Sequence, residues 1–118
     1  MSDSQGVFAQ LMATIVDRKK NPSASSYTAK LMAGGIDAIG VKVMEEAAEA
    51  VEAAREAGPE GRAHLVHEAA DLIYHLFVLL GFREIPLAEV EAELSSRFGV
   101  SGLDEKAARG ATKSRDSS

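Results

Sequence analysis

The chain contains no cysteine. Disulfides, thiolate metal sites and cysteine nucleophiles are therefore excluded. It also has no long hydrophobic run. The most apolar segment, Leu76 to Leu80, falls far short of the roughly 20 residues that cross a bilayer as a helix. The opening Met-Ser-Asp-Ser-Gln carries no basic region followed by an apolar stretch, so no secretory signal is expected. The expectation is a soluble, cytoplasmic protein with no membrane partner. Basic charge is scarce as well. The formal net charge is −5, which argues against a general nucleic-acid binder, because phosphate backbones attract basic surfaces. A small anionic ligand stays open, since a bound metal ion reverses local charge. There is no strand-like alternation of any strength and no internal repeat.

What is present reads as helix. The 118 residues suit one domain. Such a domain buries roughly two-thirds of its unfolded surface, so pairing with a second copy would enlarge a modest core. Apolar pairs recur every four residues at Val7/Phe8, Leu11/Met12 and Ile15/Val16, the mark of an amphipathic helix. Arg18-Lys19-Lys20 suits its C-terminus, and Asn21-Pro22 breaks it. A polar loop over 21–28 and a short helical turn from Thr28 to Met32 lead to Gly34-Gly35. Asp37 is then expected to cap a second long helix reaching about Ala57, closed by Gly58-Pro59. A third helix is expected from about Glu60 to Leu80 and a fourth from Pro86 to Phe98, with proline in its first turn. The fold class is all-α, a bundle of four to five helices. The domain is expected to span residues 1–106, followed by a disordered tail over 107–118.

The chemistry lies in the acids. On an ideal wheel Glu45, Glu46 and Glu49 crowd an arc of about 100°. Glu45/Glu49 and Glu52/Glu56 are like-charge pairs at four-residue spacing, each costing roughly 0.2–0.5 kcal/mol on an isolated helix. A solvated face would alternate its signs more. In the third helix, His64, Glu68, Asp71 and His75 form a narrow polar stripe about 60° wide. The aliphatics Leu65, Leu72, Ile73, Leu76, Leu79 and Leu80 occupy a separate, broad arc. A carboxylate beside so much apolar surface is costly unless it is paired, solvated or bound to metal. An Asp71–His75 pair facing solvent is the plainer alternative.

Glu46 and Glu49 are three apart, as are Glu68 and Asp71. With the two helices packed antiparallel, these four carboxylates converge as oxygen donors. Hard oxygen ligands suit Mg²⁺, with Mn²⁺ as the alternative, rather than zinc. A di-iron carboxylate bundle would need Glu-x-x-His motifs, and the chain has none. Mg²⁺ retains waters and partners phosphates, so a phosphorylated substrate is expected. Glu46, Glu49, Glu68 and Asp71 are the expected metal ligands. Glu45 is left to orient them or to take a proton from water. Lys42, one turn before Glu46, is expected to hold substrate phosphate.

Glu45-Glu46-x-x-Glu49, eighteen residues, then Glu68-x-x-Asp71 resembles the signature of the all-α nucleotide pyrophosphohydrolases, the MazG-like superfamily. Within it the chain is similar to the phosphoribosyl-ATP pyrophosphohydrolase family. That closer likeness is carried by Arg18-Lys19, Ser26-Tyr27-Thr28, Lys42-Val43-x-Glu45-Glu46-Ala47-x-Glu49, Asp71-Leu72-x-Tyr74-His75-Leu76 and Ser101-Gly102-x-x-Glu105-Lys106. The resemblance implies hydrolysis of phosphoribosyl-ATP to phosphoribosyl-AMP and pyrophosphate, the second step of histidine biosynthesis. It implies a homodimer with the active site near the subunit contact. It also makes Arg18 and Lys19 candidates for phosphate binding, and Tyr27 and Thr28 for ribose or base contacts. Two rival readings are the same chemistry on other (deoxy)nucleoside triphosphates and a non-catalytic metal-binding helical dimer. Extra cations beyond the acidic cluster, weakly Arg97 and Lys106, would favour the doubly phosphorylated substrate.

Overall fold

The computed structural model describes residues 6–98. The segment from Ser101 to Lys106, the domain boundary at 106 and the tail over 107–118 lie outside the described residues. Five helices follow one another: α1 (Val7–Lys20), α2 (Tyr27–Ala33), α3 (Gly35–Ala54), α4 (Gly58–Phe82) and α5 (Leu87–Ser95), with no strand among the described residues. The protein is all-α, as its periodicity predicts. It divides into two compact units, the first ending at Leu87 and the second beginning at Ala88. Helices α1 to α4 make up the first. In the second, Arg97 pairs with Glu93 at 2.8 Å.

The core of the first unit takes Met12 and Ile15 from α1, Leu31 and Met32 from α2, Ile39 from α3, and Phe77 and Val78 from α4. These are the positions where each helix turns its apolar arc inward. Gly81 lets α1 and α4 approach closely, for a Cβ there would lie 2.7 Å from Ile15 Cγ2. Phe8 meets Phe77 edge-on with ring centroids 5.8 Å apart. Among the described residues, α4 would pass by length and composition as a membrane-spanning helix, with a mean hydropathy of 1.4 over its most apolar stretch. It is the core helix of this unit, in contact with α1, α2 and α3, and it buries Glu68 and His75.

Helix boundaries depart from the sequence expectation where glycine and capping chemistry decide. Ser26 caps α2, its hydroxyl accepting from the Ala29 amide at 3.1 Å. Asp37 does not cap α3. Gly35 takes a left-handed φ of 74°, a conformation open to glycine without steric cost, so the chain turns out of α2 and α3 starts two residues before Asp37. Asp37 instead lies in the first turn, where its charge favours the helix dipole. At the other end α3 stops at Ala54, short of Ala57, with Arg55 as C-cap. Gly58-Pro59 opens α4 rather than merely closing α3, in keeping with proline's fixed φ at a first turn. Helix α4 runs two residues beyond Leu80, and α5 is shorter than the expected Pro86–Phe98.

Candidate active site

Only residues 55–57 join α3 to α4, and so short a connection makes the two helices antiparallel neighbours. Their facing sides carry the acids. One carboxylate oxygen from each of Glu46, Glu49 and Glu68 lies within 4.8 Å of the others. Glu46 and Glu68 are each 7% exposed, and the Oε1 atom of each is buried without a hydrogen-bond partner. Burying an ionised carboxylate with an unsatisfied oxygen is expensive. The Glu46 carboxyl is accordingly held above the usual carboxylate range, first by burial, then by hydrogen bonding to Glu68 and by the charges of Asp71 and Glu68, with His75 acting in the opposite direction. The cluster therefore favours positive charge at its centre. Its donors are all hard oxygens, and its two orphaned oxygens are what a divalent cation would satisfy.

Asp71 enters through a second, overlapping group. Ligand atoms of His67, Glu68 and Asp71 also lie within 4.8 Å of one another, with His67 Nε2 3.3 Å from Asp71 Oδ2. Glu68 is common to both groups. The four acids expected from their spacing are thus brought together as two sets hinged on Glu68. His67 is absent from the sequence expectation. Its four-residue spacing to Asp71, which puts it at the edge of the polar stripe, was the available signal.

Glu45 stands apart. Its side chain is 54% exposed and meets Lys42 Nζ at 3.3 Å, and it joins neither carboxylate group among the described residues. Lys42 Nζ is also 3.9 Å from Glu46 Oε2, so this cation sits at the rim of the cluster. Hydrogen bonding to Glu45 is the main cause that raises the Lys42 pKa, with smaller contributions from Tyr27, Glu45 and Glu46.

Tyr27 links the cluster to the loop before α2. His75 Nδ1 faces the Asp71 backbone carbonyl at 2.8 Å. A carbonyl only accepts, so Nδ1 carries a proton, and in the neutral ring Nε2 accepts from the Tyr27 hydroxyl at 3.0 Å. The plainer alternative, an Asp71–His75 pair facing solvent, is not what forms: buried His75 bonds to the Asp71 main chain rather than its carboxylate. The pKa of the Tyr27 hydroxyl is raised, chiefly by burial, and Lys42, Glu46 and Asp71 all act on it. Half-exposed Tyr27 also borders a cavity of about 510 Å³ that is lined by Thr14, Arg18, Asn21, Ser23, Ser26 and Thr28 among others. That volume falls within the range of small-molecule pockets.

The remaining candidates separate. Arg18 lines this cavity and pairs with Asp17 at 2.7 Å. Thr28 is buried and hydrogen-bonds through its hydroxyl to that of Tyr74. Lys19 is not brought to the acids. Its Nζ donates to the Phe82 carbonyl at 2.8 Å and to Glu84 Oε2 at 3.0 Å, and lies over the Phe82 ring at 5.4 Å. Phe82 is fourteen residues beyond Glu68 on α4, about 21 Å along the helix axis.

Residues 8–98 match the family model described as phosphoribosyl-ATP pyrophosphohydrolase. The chain is 53% identical over 104 residues to a phosphoribosyl-ATP pyrophosphatase of Rhodopirellula baltica, covering 88% of this chain and 87% of that protein. It is 52% identical over 103 residues to the protein so named in Novosphingobium aromaticivorans, covering 87% and 94%. A third relative of that name, in Dinoroseobacter shibae, is 50% identical over 103 residues, covering 87% and 98%.

Proposed function

Because the chain belongs to the phosphoribosyl-ATP pyrophosphohydrolase family, we propose that it hydrolyses phosphoribosyl-ATP to phosphoribosyl-AMP and pyrophosphate, the second step of histidine biosynthesis, with Mg²⁺ or Mn²⁺ held at the α3–α4 carboxylates. The observation that carries the metal assignment is the convergence of Glu46, Glu49 and Glu68 within 4.8 Å, with the buried Oε1 atoms of Glu46 and Glu68 left without hydrogen-bond partners.

Glu46, Glu49, Glu68 and Asp71 would hold the ion. When bound, it would neutralise the triphosphate charge and polarise the phosphorus under attack. Lys42, at the cluster's rim, draws the phosphates inward. Glu45 is exposed and beside Lys42, and it takes the proton of the attacking water or orients Glu46. Water oxygen bonds to the α-phosphorus in line, the bond to the bridging oxygen breaks, and pyrophosphate leaves. Tyr27 and Arg18 border the adjoining polar cavity, which accepts the ribosyl or base portion. Thr28 supports that loop through Tyr74.

The enzyme acts as a homodimer on this reading, in the cytoplasm and without a nucleic-acid or membrane partner. An apolar groove of about 450 Å³ between α1 and α4, lined by Val7, Phe8, Leu11, Val66, Ala69, Ala70 and Ile73, supports it. Val7 is 72% and Val66 65% exposed there, apolar surface that a second copy would cover. Pyrophosphate release from phosphoribosyl-ATP and from a panel of nucleoside triphosphates, with and without Mg²⁺, tests the assignment. Release only from deoxynucleotides would remove the histidine-pathway substrate, and no release from any would remove the enzyme.

A further inference from the structure

The reaction outlined above makes no use of Glu56 or His64, yet both are tied to the carboxylate cluster. Glu56 lies in the turn between α3 and α4, and His64 lies one helical turn before Glu68. His64 Nδ1 is 3.1 and 3.0 Å from the two Glu56 carboxylate oxygens, and its Nε2 is 3.2 Å from Glu68 Oε2. Carboxylates accept, so Nδ1 donates to Glu56, and in the protonated ring Nε2 faces Glu68 Oε2 as a second donor. The two oxygens of Glu68 are thereby differentiated. Oε2 is held by His64, while Oε1 is buried without a partner.

The backbone makes this arrangement available. A Cβ at Gly61 would lie 2.3 Å from the Glu56 carbonyl oxygen and 2.6 Å from its carbon. The turn therefore rests directly on α4 at Gly61, where no side chain fits. Gly61, His64 and Glu68 are spaced three and four apart and share one helix face. The contact runs along that face: Glu56 backbone on Gly61, Glu56 carboxylate on His64, His64 on Glu68.

We propose that Glu56 and His64 are positioning residues that fix the Glu68 side chain so that Oε1 is presented for cation binding. The proposal rests on the reading that Glu68 binds a divalent ion. Groups that hydrogen-bond to metal ligands orient them, and their loss typically weakens metal affinity by about 10–100-fold. The side chains of His64 and Glu56 are 40% and 49% exposed, so replacing either opens no core cavity, and a purely structural role leaves cation affinity unchanged.

Mn²⁺ is the probe, its binding to the full chain followed by loss of the free-ion electron paramagnetic resonance signal, with helical content measured in parallel. His64→Ala should weaken Mn²⁺ binding by about 10–100-fold at unchanged helicity. Glu56→Gln should weaken it less. The double variant should bind no worse than His64→Ala, because the two residues act in series. His64→Gln, whose amide can still donate to Oε2, should recover part of the affinity. Wild-type affinity in His64→Ala, or losses that add in the double variant, would overturn the positioning role alone. Absence of Mn²⁺ binding in the unaltered protein, or undiminished binding in Glu68→Gln, would overturn the metal reading and this role with it.

Discussion

Glu46 and Glu68 face one another across the α3–α4 hairpin, each nine-tenths buried and each with one oxygen that no donor reaches. Two carboxylates so placed repel and are poorly solvated, which stores instability in the metal-free fold. Replacing either with glutamine removes a charge while keeping its shape. Glu46→Gln is expected to raise the unfolding midpoint of the metal-free protein by about 4 °C, the shift that roughly 1 kcal/mol gives a domain of this size. It should also lower turnover by at least about 100-fold. Differential scanning fluorimetry and pyrophosphate release measure the two halves. A non-catalytic scaffold predicts the stabilisation without the lost activity.

The same pair sets a pH dependence. The folded Glu46 carboxyl binds its proton more tightly than an ordinary glutamate carboxyl, whose pKa is 4.5. The stability it contributes is therefore fully present below that value and is lost as pH rises through the raised folded value. Without metal, thermal stability should decline over that interval. Saturating Mg²⁺ should abolish the decline above it by taking the proton's place, and Glu46→Gln should flatten the metal-free profile. Unfolding midpoints across acidic to neutral pH, with and without Mg²⁺, provide the comparison.

The two lysines expected to meet phosphate should behave oppositely. Lys42 stands 3.9 Å from Glu46 Oε2, at the cluster. Lys42→Ala should raise KM for phosphoribosyl-ATP by about 10-fold, the loss of one charge-assisted contact. Lys19 instead donates to the last turn of α4 at Phe82. Lys19→Ala should lower stability by about 0.5–1.5 kcal/mol and leave kcat/KM near its original value. Steady-state kinetics beside urea denaturation separates them.

The apolar groove on α1 and α4 gives a separate prediction. Val66 is 65% exposed beside Phe8 and Ile73. Val66→Asp should convert a dimer to monomer in sedimentation velocity while circular dichroism stays helical, since a solvent-facing change spares the core. A dimer that survives the substitution would place the subunit contact elsewhere.

The four-residue apolar spacing of α1 and the long apolar arc of α4 made their helical character legible, because core burial demands those periods. The three-residue spacings Glu46/Glu49 and Glu68/Asp71 likewise anticipated that acids of two helices would meet. Other features depend on geometry that residue spacing does not carry. Gly35 redirects the chain so that Asp37 falls inside α3 rather than capping it. Lys19, adjacent to Arg18 in sequence, turns to α4's C-terminus while Arg18 faces the polar cavity, since neighbouring helical residues point about 100° apart. His64 shares the stripe with Glu68 and His67 lies at its edge, but their contacts depend on rotamers and on where the 55–57 turn lies. The bond from His75 to the Asp71 main chain, rather than its carboxylate, was hidden for the same reason.

The central claim is that the α3–α4 carboxylates bind a divalent ion that hydrolysis requires. Its most direct test is pyrophosphate release from phosphoribosyl-ATP as Mg²⁺ is titrated, comparing the unaltered protein with Glu68→Gln at matched helical content. Saturable, Mg²⁺-dependent release that is lost in Glu68→Gln is the expected result. Release that is indifferent to Mg²⁺, or that persists undiminished in Glu68→Gln, would contradict it.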